Sequence, residues 1–289
     1  MNIPHIPPRK ILVPFDFSKA SRVAWDMGQA LARALGASIE ALYVYEIPTY
    51  PDSVPVSALS LSEGLRSKLI GDMRRELGPD VQATVLQGLT VESILSSAVE
   101  RKIDLIVMGT RGHAGVSRLM FNSAAESLSR HSSVPILTLR KSWKPVKTIL
   151  APVNFASYSL KGFFAAADLA RRLGARFDVL HVADGRRCEP AEQAVFDDLV
   201  RELPDYFADK APRFLCGTGE PARRIVAAGA GYDLVVLVAH RKSMFRDVVL
   251  GTTAERVLRH SFTPVLAIPD AEEPALKPRP RRRQAPGGH

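Results

Sequence analysis

The sequence predicts two tandem α/β domains, each built on a five-stranded parallel sheet that is doubly wound, with helices on both faces. Two observations support this fold class: the chain contains an internal duplication, and each copy alternates short apolar runs with longer segments of helical periodicity. Strict alternation of strands and helices, with strands that are apolar throughout, is typical of a parallel sheet buried on both sides. A length of 289 residues suits two domains of ordinary size.

Segments of the first copy recur in the second copy in the same order. The pairs are KILVPFDF and TILAPVNF (starting at Lys10 and Thr148), LARALGA and LARRLGA (Leu31 and Leu169), DLIVM and DLVVL (Asp104 and Asp233), and VPIL and TPVL (Val134 and Thr263). The repeated unit, about 130 to 140 residues long, is a duplicated domain, because solenoid repeats are only about 20 to 50 residues long. We therefore expect domains at 9–141 and 146–270, with the boundary near Lys141–Pro145 and a tail at 271–289.

The apolar and helical patterns of the first copy predict five strands and four helices. The strands are Ile11–Pro14, Ser38–Tyr45, Val81–Leu86, Leu105–Met108 and Val134–Arg140. The helices are Ala20–Leu35, Leu59–Leu77, Val91–Lys102 and Ser123–His131. Gly36 follows the first helix, at a position where a left-handed glycine commonly ends a helix. We expect the second copy to follow the same order.

The composition indicates a globular chain without a membrane span. Hydrophobic residues make up 46% and charged residues 24%, and no apolar stretch approaches the roughly 18 residues that a spanning helix needs. The N-terminal segment lacks the apolar core of a secretory leader, so we expect a cytoplasmic protein. Cys188 and Cys216 show no CxxC spacing, so we expect buried or idle thiols, and neither a zinc site nor a disulfide framework.

The net charge of +9 is unevenly distributed along the chain. Five positive charges and no acid lie in 277–283, within a segment rich in proline and arginine. Such a segment cannot bury a core, so we expect 271–289 to be a disordered tail. A single short basic run is weak evidence for a partner, and we expect no contact of the tail with nucleic acid or membrane.

The candidate binding site lies after the strands of the first copy, because ligands of doubly wound sheets bind at the carboxyl ends of the strands. The first strand leads into Phe15-Asp16, and the fourth leads into a loop with glycines at 109, 112 and 115. We expect Asn122 or Ser123 to cap the following helix, whose N-terminus favours an anion. Neither GxGxxG nor a Walker-type GxxxxGK[ST] occurs, so the pattern predicts a different phosphate cradle.

This arrangement resembles the nucleotide motif of universal stress proteins. The resemblance rests on Gly-x-x-Gly after DLIVM and, after nine intervening residues, Asn122-Ser123 where the family has Gly-Ser/Thr. It also rests on the opening ILVPFDFS, the helix ending in LGA, and the closing SVPIL. It implies the adenine nucleotide alpha hydrolase-like, Rossmann-like fold and a site for ATP or another adenine nucleotide, with magnesium only as the nucleotide's companion. The residues implied at that site are Pro14, Phe15, Asp16, Val44, Met108, Gly109, Thr110, Arg111, Gly112, Asn122, Ser123 and Ala124.

The resemblance assigns different parts of the nucleotide to these residues. Pro14 and Asp16 match positions near ribose and adenine, Val44 lines the adenine pocket, and the loop after the fourth strand takes the phosphates. Asn122 stands where the family has a third glycine, so a loop that keeps only the family's shape is an open alternative. In the second copy Val238 replaces the first glycine, Arg241 the second and Asn154 the acid, so we expect a degenerate scaffold without nucleotide.

The resemblance implies a cytoplasmic regulatory protein of the stress response that binds an adenine nucleotide in its first domain. Two alternatives stay open: a nucleotide-free interaction protein, and a very slow ATPase or self-phosphorylating protein that uses Ser123 or a loop serine. Members of the family pair along their fifth strands, which implies that Val134–Arg140 pairs with Val265–Pro269 within this chain, and a further homodimer is compatible with this. Protein partners are not indicated.

Other titratable residues have simpler interpretations. We expect His181 to be a packed strand residue, and His240 lacks the spaced partners of a zinc ligand. Glu126 and Glu255 occupy equivalent positions after the motif, where acids in a first helical turn complement the helix dipole.

Overall fold

The computed structural model describes residues 8–46, 61–110, 118–140, 143–183, 187–201, 211–244 and 247–270; of residues 118–123, 157–158, 241–244 and 247–250 it describes the backbone alone. The predicted tail and the loop residues Arg111 and Gly112 therefore lie outside the described residues. None of the helices in the described ranges is both long and apolar enough to cross a membrane.

The first half contains five strands and four helices in the predicted order. The elements are β1 Lys10–Pro14, α1 Lys19–Leu35, β2 Ser38–Tyr45, α2 Glu63–Leu77, β3 Gln82–Gln87, α3 Thr90–Glu100, β4 Leu105–Gly109, α4 Arg118–His131 and β5 Ile136–Leu139. The prediction for α4 was wrong at its start, because the helix begins at Arg118 and not beside Ser123. Asn122 and Ser123 therefore lie inside α4 and do not cap it.

The second half repeats this order and adds a hairpin. Its elements are β6 Thr148–Val153, α5 Ser157–Leu173, β7 Arg176–Ala183, α6 Pro190–Arg201, β8 Arg213–Thr218, α7 Pro221–Gly229, β9 Leu234–Ala239, β10 Arg241–Met244, β11 Asp247–Leu250, α8 Thr252–His260 and β12 Val265–Pro269. The antiparallel pair β10–β11 follows β9, where the first half has its glycine-containing loop. The sequence analysis did not predict this hairpin.

All strands except β10 and β11 form one ten-stranded sheet. Its order is β3-β2-β1-β4-β5-β12-β9-β6-β7-β8, so each half has the same doubly wound arrangement. The halves meet where β5 and β12 pair antiparallel, with Leu137 opposite Leu266. This confirms the predicted pairing of the fifth strands within one chain, and it covers two strand edges that would otherwise be open to other chains.

The hydrophobic core is continuous across the junction on one face of the sheet. A single buried cluster contains residues of both halves, among them Val13, Leu137, Ile149 and Leu266. On the other face each half has its own cluster. The shared cluster means that the two halves stabilise each other through apolar packing as well as strand pairing.

The duplicated DLIVM and DLVVL segments begin with an acid that has a structural role. Asp104 accepts hydrogen bonds from the main-chain N–H groups of Arg9 (2.8 Å) and Lys10 (2.9 Å). Asp233 accepts the equivalent bonds from residues 147 and 148, both at 3.0 Å. Each carboxylate thus accepts two main-chain N–H groups at the start of the first strand of its half. This shared structural role accounts for the acid in both copies.

Equivalent ion pairs join helices α4 and α8 across the junction. Arg259 Nε lies 2.8 Å from Glu126 Oε1, and Arg130 Nη2 lies 3.4 Å from Glu255 Oε1. Glu255 is in the first turn of α8, as predicted. The helix-dipole interpretation was wrong for Glu126, which lies in the middle of α4 and faces the arginine of the other half.

Candidate functional site

The predicted site lies at the carboxyl edge of the first half, where the strand order changes direction. Strands β2 and β4 flank β1 on opposite sides, and both run parallel to it. Pro14 ends β1, Gly109 ends β4, and Val44 lies near the end of β2. Pro14, Asp16 and Val44 are half-buried, so each keeps a surface for a ligand at this switch point.

Asp16 forms a tight turn between β1 and α1. Its Oδ1 accepts the N–H of Ser18 at 3.1 Å. Asn154, at the equivalent position of the second half, accepts the N–H of Ala156 through its own Oδ1 at 3.1 Å. The turn therefore needs one side-chain oxygen and no charge. The negative charge of Asp16 is additional to the turn, and a ligand can use it.

The aromatic residues that follow this turn have an uncommon backbone conformation in both halves. Phe17 and Phe155 have φ angles of 62° and 58°, which bulky residues rarely adopt. The Phe17 ring lies 5.6 Å from that of Tyr43, and Phe155 lies 4.9 Å from His181. Burial, with a further contribution from the charge of Asp16, raises the pKa of the Tyr43 hydroxyl. The sequence analysis did not single out either phenylalanine.

Several predicted residues contribute their side chains to the core and not to the site. Phe15 and Met108 are each only 2% exposed and belong to hydrophobic clusters, and Ala124 is also buried. Thr110 is buried as well, and its hydroxyl donates to the carbonyl of Leu139 at 3.3 Å. The side chains of these four residues are therefore part of the packed interior.

The glycine at 109 is required by the packing of helix α1. A Cβ at this position would overlap the carbonyl group of Ala20. In the second half Val238 takes the equivalent place, and Gly162 of α5 makes room, since a Cβ on Gly162 would lie 3.0 Å from a Val238 methyl group. Gly162 is the counterpart of Ala24 and not of Ala20, so this contact lies one helical turn farther along the helix. The small residue on α5 thus accommodates the side chain of Val238.

The second half contains a cavity of about 660 Å³ at its own switch point between β6 and β9. Residues from three strands and the start of α8 line it, among them Asn154, Phe155, His181, Val182, His240 and Thr252. The sequence analysis predicted a degenerate scaffold here. The substitutions at 154 and 238 are present, but they leave an open cavity.

Two histidines at this edge pair with acids. His181 is 7% exposed, and its Nδ1 and Nε2 lie 3.0 Å from the Val153 carbonyl and 3.2 Å from Glu192 Oε1. Both partners are acceptors, so the ring satisfies them together when both nitrogens carry hydrogen. The expectation of a packed strand residue is confirmed for His181, and an acid partner is added to it.

His240 contacts a second buried acid. Its Nδ1 lies 2.7 Å from Asp270 Oδ2, and Lys161 Nζ lies 2.7 Å from Asp270 Oδ1. Burial acts to raise the pKa of Asp270, but the hydrogen bonds from Lys161 and His240 outweigh it and hold that pKa below its ordinary value. The carboxylate thus joins α5 to the ends of β9 and β12.

The two cysteines lie beside the same cavity and form a disulfide, Cys188–Cys216. The expectation of idle thiols was therefore wrong. No spacing signal could have found the pair, because the contact depends on the β7–β8 pairing, which places Cys216 opposite His181. The carboxylate of Glu192 completes a cluster with the two sulfur atoms.

These features define a tandem, doubly wound α/β protein with a cavity at the switch point of its second half. The model of the universal stress protein family matches residues 8–140 and 145–269. The chain belongs to the universal stress protein family, with two such domains in tandem.

Individual relatives agree with this assignment. Universal stress protein MJ0531 of Methanocaldococcus jannaschii is 30% identical over 140 residues, which cover 46% of this chain and 82% of that protein. The Na(+)/H(+) antiporter NhaS5 of Synechocystis is 25% identical over 269 residues, which cover 88% of this chain and 38% of that protein. The crystal structure of a universal stress protein from Archaeoglobus fulgidus has the same fold, with a TM-score of 0.70 at 17% identity over 91% of this chain and 99% of that one.

Proposed function

We propose that this universal stress protein binds ATP or a related adenine nucleotide in its first half and acts as a regulatory protein of the stress response. The observation that carries the proposal is that Pro14, Asp16 and Val44 lie together at the switch point and are only half-buried, whereas the neighbouring core residues are fully buried. Ligands of doubly wound sheets bind at this place.

The chemistry of these residues suits a nucleoside. The Asp16 carboxylate can accept hydrogen bonds from ribose hydroxyl groups, since the turn uses only its Oδ1. Val44, at the margin of the first-half cluster on its face of the sheet, offers an apolar surface to the base. The phosphates would lie toward the loop after Gly109, which includes Arg111 and Gly112, with magnesium as their companion.

The second half supports a different candidate, a site for a small organic molecule other than a nucleoside triphosphate. The cavity of about 660 Å³ is the observation that favours it. Asn154 lacks the charge of Asp16, and the side chain of Val238 occupies the wall where the first half has only a glycine. The Phe155 ring can contact an apolar group, and Asn154 and His240 can hydrogen-bond to polar atoms.

A catalytic role is the weaker alternative. Self-phosphorylation would need a nucleophile such as Ser123, which lies within α4 and not at its cap, and slow ATP hydrolysis would need a positioned water molecule. A non-catalytic role stays a prediction, as does a cytoplasmic location. The disulfide bears on the location, since disulfides persist mainly in oxidising compartments. A homodimer would need a surface other than β5 or β12, because these strands already pair with each other.

Calorimetric titration with ATP, ADP, AMP and cyclic AMP tests the proposed function. We expect saturable binding of at least one of them, with one site per chain. Val44→Trp should block this site, whereas Val182→Trp, at the equivalent position of the second half, should leave it intact. The absence of binding at millimolar nucleotide in the folded protein would favour the nucleotide-free interaction protein. Phosphate release that Ser123→Ala abolishes would favour the enzyme.

A further inference from the structure

Next to the second-half cavity lies a group of two cysteine sulfurs and the Glu192 carboxylate that the nucleotide proposal does not use, and Glu192 also lines the cavity. The disulfide Cys188–Cys216 joins the segment before α6 to strand β8, with a Cα–Cα distance of 6.1 Å. Both cysteines are half-buried. A chain with a core of this size does not depend on one disulfide to fold, so the pair invites a role other than stabilisation.

Glu192 is held with its carboxylate against this disulfide. Its Oε2 accepts the N–H of Glu189 at 3.0 Å, which is the capping contact of an acid at the third position of a helix. Its Oε1 pairs with His181 Nε2 at 3.2 Å. With these two contacts fixed, Oε2 also lies 3.7 Å from Cys216 Sγ. The carboxylate is therefore preorganised beside the sulfur atoms.

Reduction of the disulfide would create an unusual electrostatic arrangement. Two thiols would face a fixed carboxylate, and like charges this close disfavour the ionised thiolates. A divalent cation between them removes this repulsion. The two Sγ atoms and a Glu192 carboxylate oxygen all lie within 4.8 Å of one another. In the oxidised form the two sulfur atoms are bonded to each other, so an ion can enter only after reduction lets them separate. The separated thiols and the carboxylate then lie close enough to share one ion with bonds of about 2.0 to 2.3 Å, the range that zinc forms with sulfur and oxygen.

We propose that Cys188 and Cys216 are a reversible redox pair and that, in the reduced state, they bind one thiophilic divalent cation of the zinc class together with Glu192. His181 acts as a positioning residue, because its ring lies between the Val153 carbonyl and the Glu192 carboxylate and holds that carboxylate in place. Water supplies the fourth ligand of a tetrahedral ion.

The redox step is ordinary thiol–disulfide exchange with a cellular dithiol. A thiolate of the dithiol attacks one cysteine sulfur and forms a mixed disulfide, and the other cysteine leaves as a thiolate that takes up a proton. The second thiol of the reductant then displaces the first cysteine, so the reductant ends as its own disulfide. Binding of the cation to the reduced pair releases the two thiol protons.

The location gives this site a consequence for the cavity. Arg187 and Glu189 flank Cys188 in the sequence, and both line the cavity with Glu192. The segment 187–192 of the cavity wall is therefore held by the disulfide in the oxidised form and by the cation in the reduced, metal-bound form. Because these bonds differ, the two forms can hold this segment in different positions.

Zinc binding by the intact protein in its two redox states tests the proposal. Thiols are counted in native buffer before and after treatment with dithiothreitol, the reductant is removed anaerobically, and zinc chloride is titrated against a chromophoric zinc indicator. We expect no free thiol before treatment, two after it, and one bound zinc per chain in the reduced protein only. Far-UV circular dichroism should be the same in both states.

Matched variants of helix α6 and β8 identify the ligands. Cys216→Ser should abolish zinc binding. Glu192→Gln keeps an oxygen for the capping contact and should weaken the zinc affinity by about 10-fold or more. Asp198→Asn, an exposed acid on the same helix, should leave it unchanged. The proposal is overturned if the reduced, folded wild-type protein binds no more zinc than the oxidised protein, or if reduction unfolds it. Neither result bears on nucleotide binding in the first half.

Discussion

Gly109 lies directly against helix α1, where a Cβ would overlap the carbonyl group of Ala20. The first glycine of the motif is thus a packing residue, and it also precedes the segment proposed to hold the phosphates. A bulky substitution at 109 would disturb the fold together with any binding, so it cannot test the nucleotide site. Variants at Asp16 and Val44 separate the two effects.

Gly109→Ala should destabilise the protein. The added methyl group meets fixed main-chain atoms, and overpacking of this kind costs about 1–3 kcal/mol in the free energy of unfolding. Denaturant unfolding measures the loss. Gly71→Ala provides the control, because this exposed position in α2 has no neighbour within 4 Å. That change should stabilise the helix by roughly 0.5–1 kcal/mol. Equal effects of the two substitutions would contradict the packing role.

Asp178→Asn should lower the free energy of unfolding at neutral pH by roughly 2 kcal/mol, since hydrogen bonds to charged groups are worth about that much. Asp178 is fully buried, and its Oδ2 accepts from Arg213 Nη2 at 2.6 Å and from the Tyr232 hydroxyl at 2.7 Å. Asp198→Asn, an exposed acid, should change the free energy of unfolding by less than about 0.5 kcal/mol.

The effect of Asp178 should depend on pH in a defined direction. Burial acts to raise its pKa, but the hydrogen bonds from Arg213 and Tyr232 outweigh burial and hold the pKa below the ordinary value of 3.8. A lowered pKa stabilises the folded state above the unfolded pKa, and this contribution disappears as the pH falls through the folded pKa. The difference between wild type and Asp178→Asn should therefore shrink below about pH 4. A constant difference down to pH 2 would contradict this assignment.

The shared core predicts that the two halves unfold together. Leu266→Ala should destabilise the whole chain by about 3 kcal/mol, since Leu266 is buried and faces Leu137 of the first half. Trp143→Phe leaves Trp25 as the single tryptophan of the chain, and because Trp25 is buried in the first half, its fluorescence follows the unfolding of that half. Its unfolding midpoint should fall along with the midpoint from circular dichroism. A Trp25 midpoint that stays unchanged would show that the halves unfold independently.

The ion pair between Arg259 and Glu126 should contribute little to stability. Arg259 is 52% exposed, and exposed pairs couple by about 0.2–1 kcal/mol. A double-mutant cycle with Arg259→Gln and Glu126→Gln measures the coupling energy, which should decrease in high salt. A coupling above about 2 kcal/mol, or one that salt leaves unchanged, would indicate a much less solvated pair than the structure describes.

The sequence predicted the architecture because hydrophobic periodicity is a local signal of helices and strands, and because the two copies can be recognised by direct comparison of their sequences. Strand β2, Ser38–Tyr45, was predicted with its observed bounds, and the β5–β12 pairing followed from the family resemblance. The start of α4 was misplaced, since a good capping residue such as Ser123 does not prevent a helix from beginning earlier.

The site itself was predictable only in part. Asp16 was proposed from its place after β1 and Val44 from the family resemblance, and both stay predictions. Whether a side chain turns into the core depends on packing, as Phe15 and Met108 show. The disulfide depends on the strand pairing that brings β8 beside β7, and the cavity depends on how residues from several separate segments meet at the second switch point. Neither leaves a pattern in a single sequence.

The most direct test of nucleotide binding in the first half exchanges the residues at equivalent positions of the two turns. Asp16→Asn gives the first half the side chain that the second half already accommodates, so the turn should persist while the charge is lost. Calorimetric titration with ATP should show binding weakened by about 10-fold or more relative to wild type. Asn154→Asp in the second half should leave the affinity unchanged. ATP binding that survives Asp16→Asn at full strength, or that responds only to the change at 154, would contradict the account.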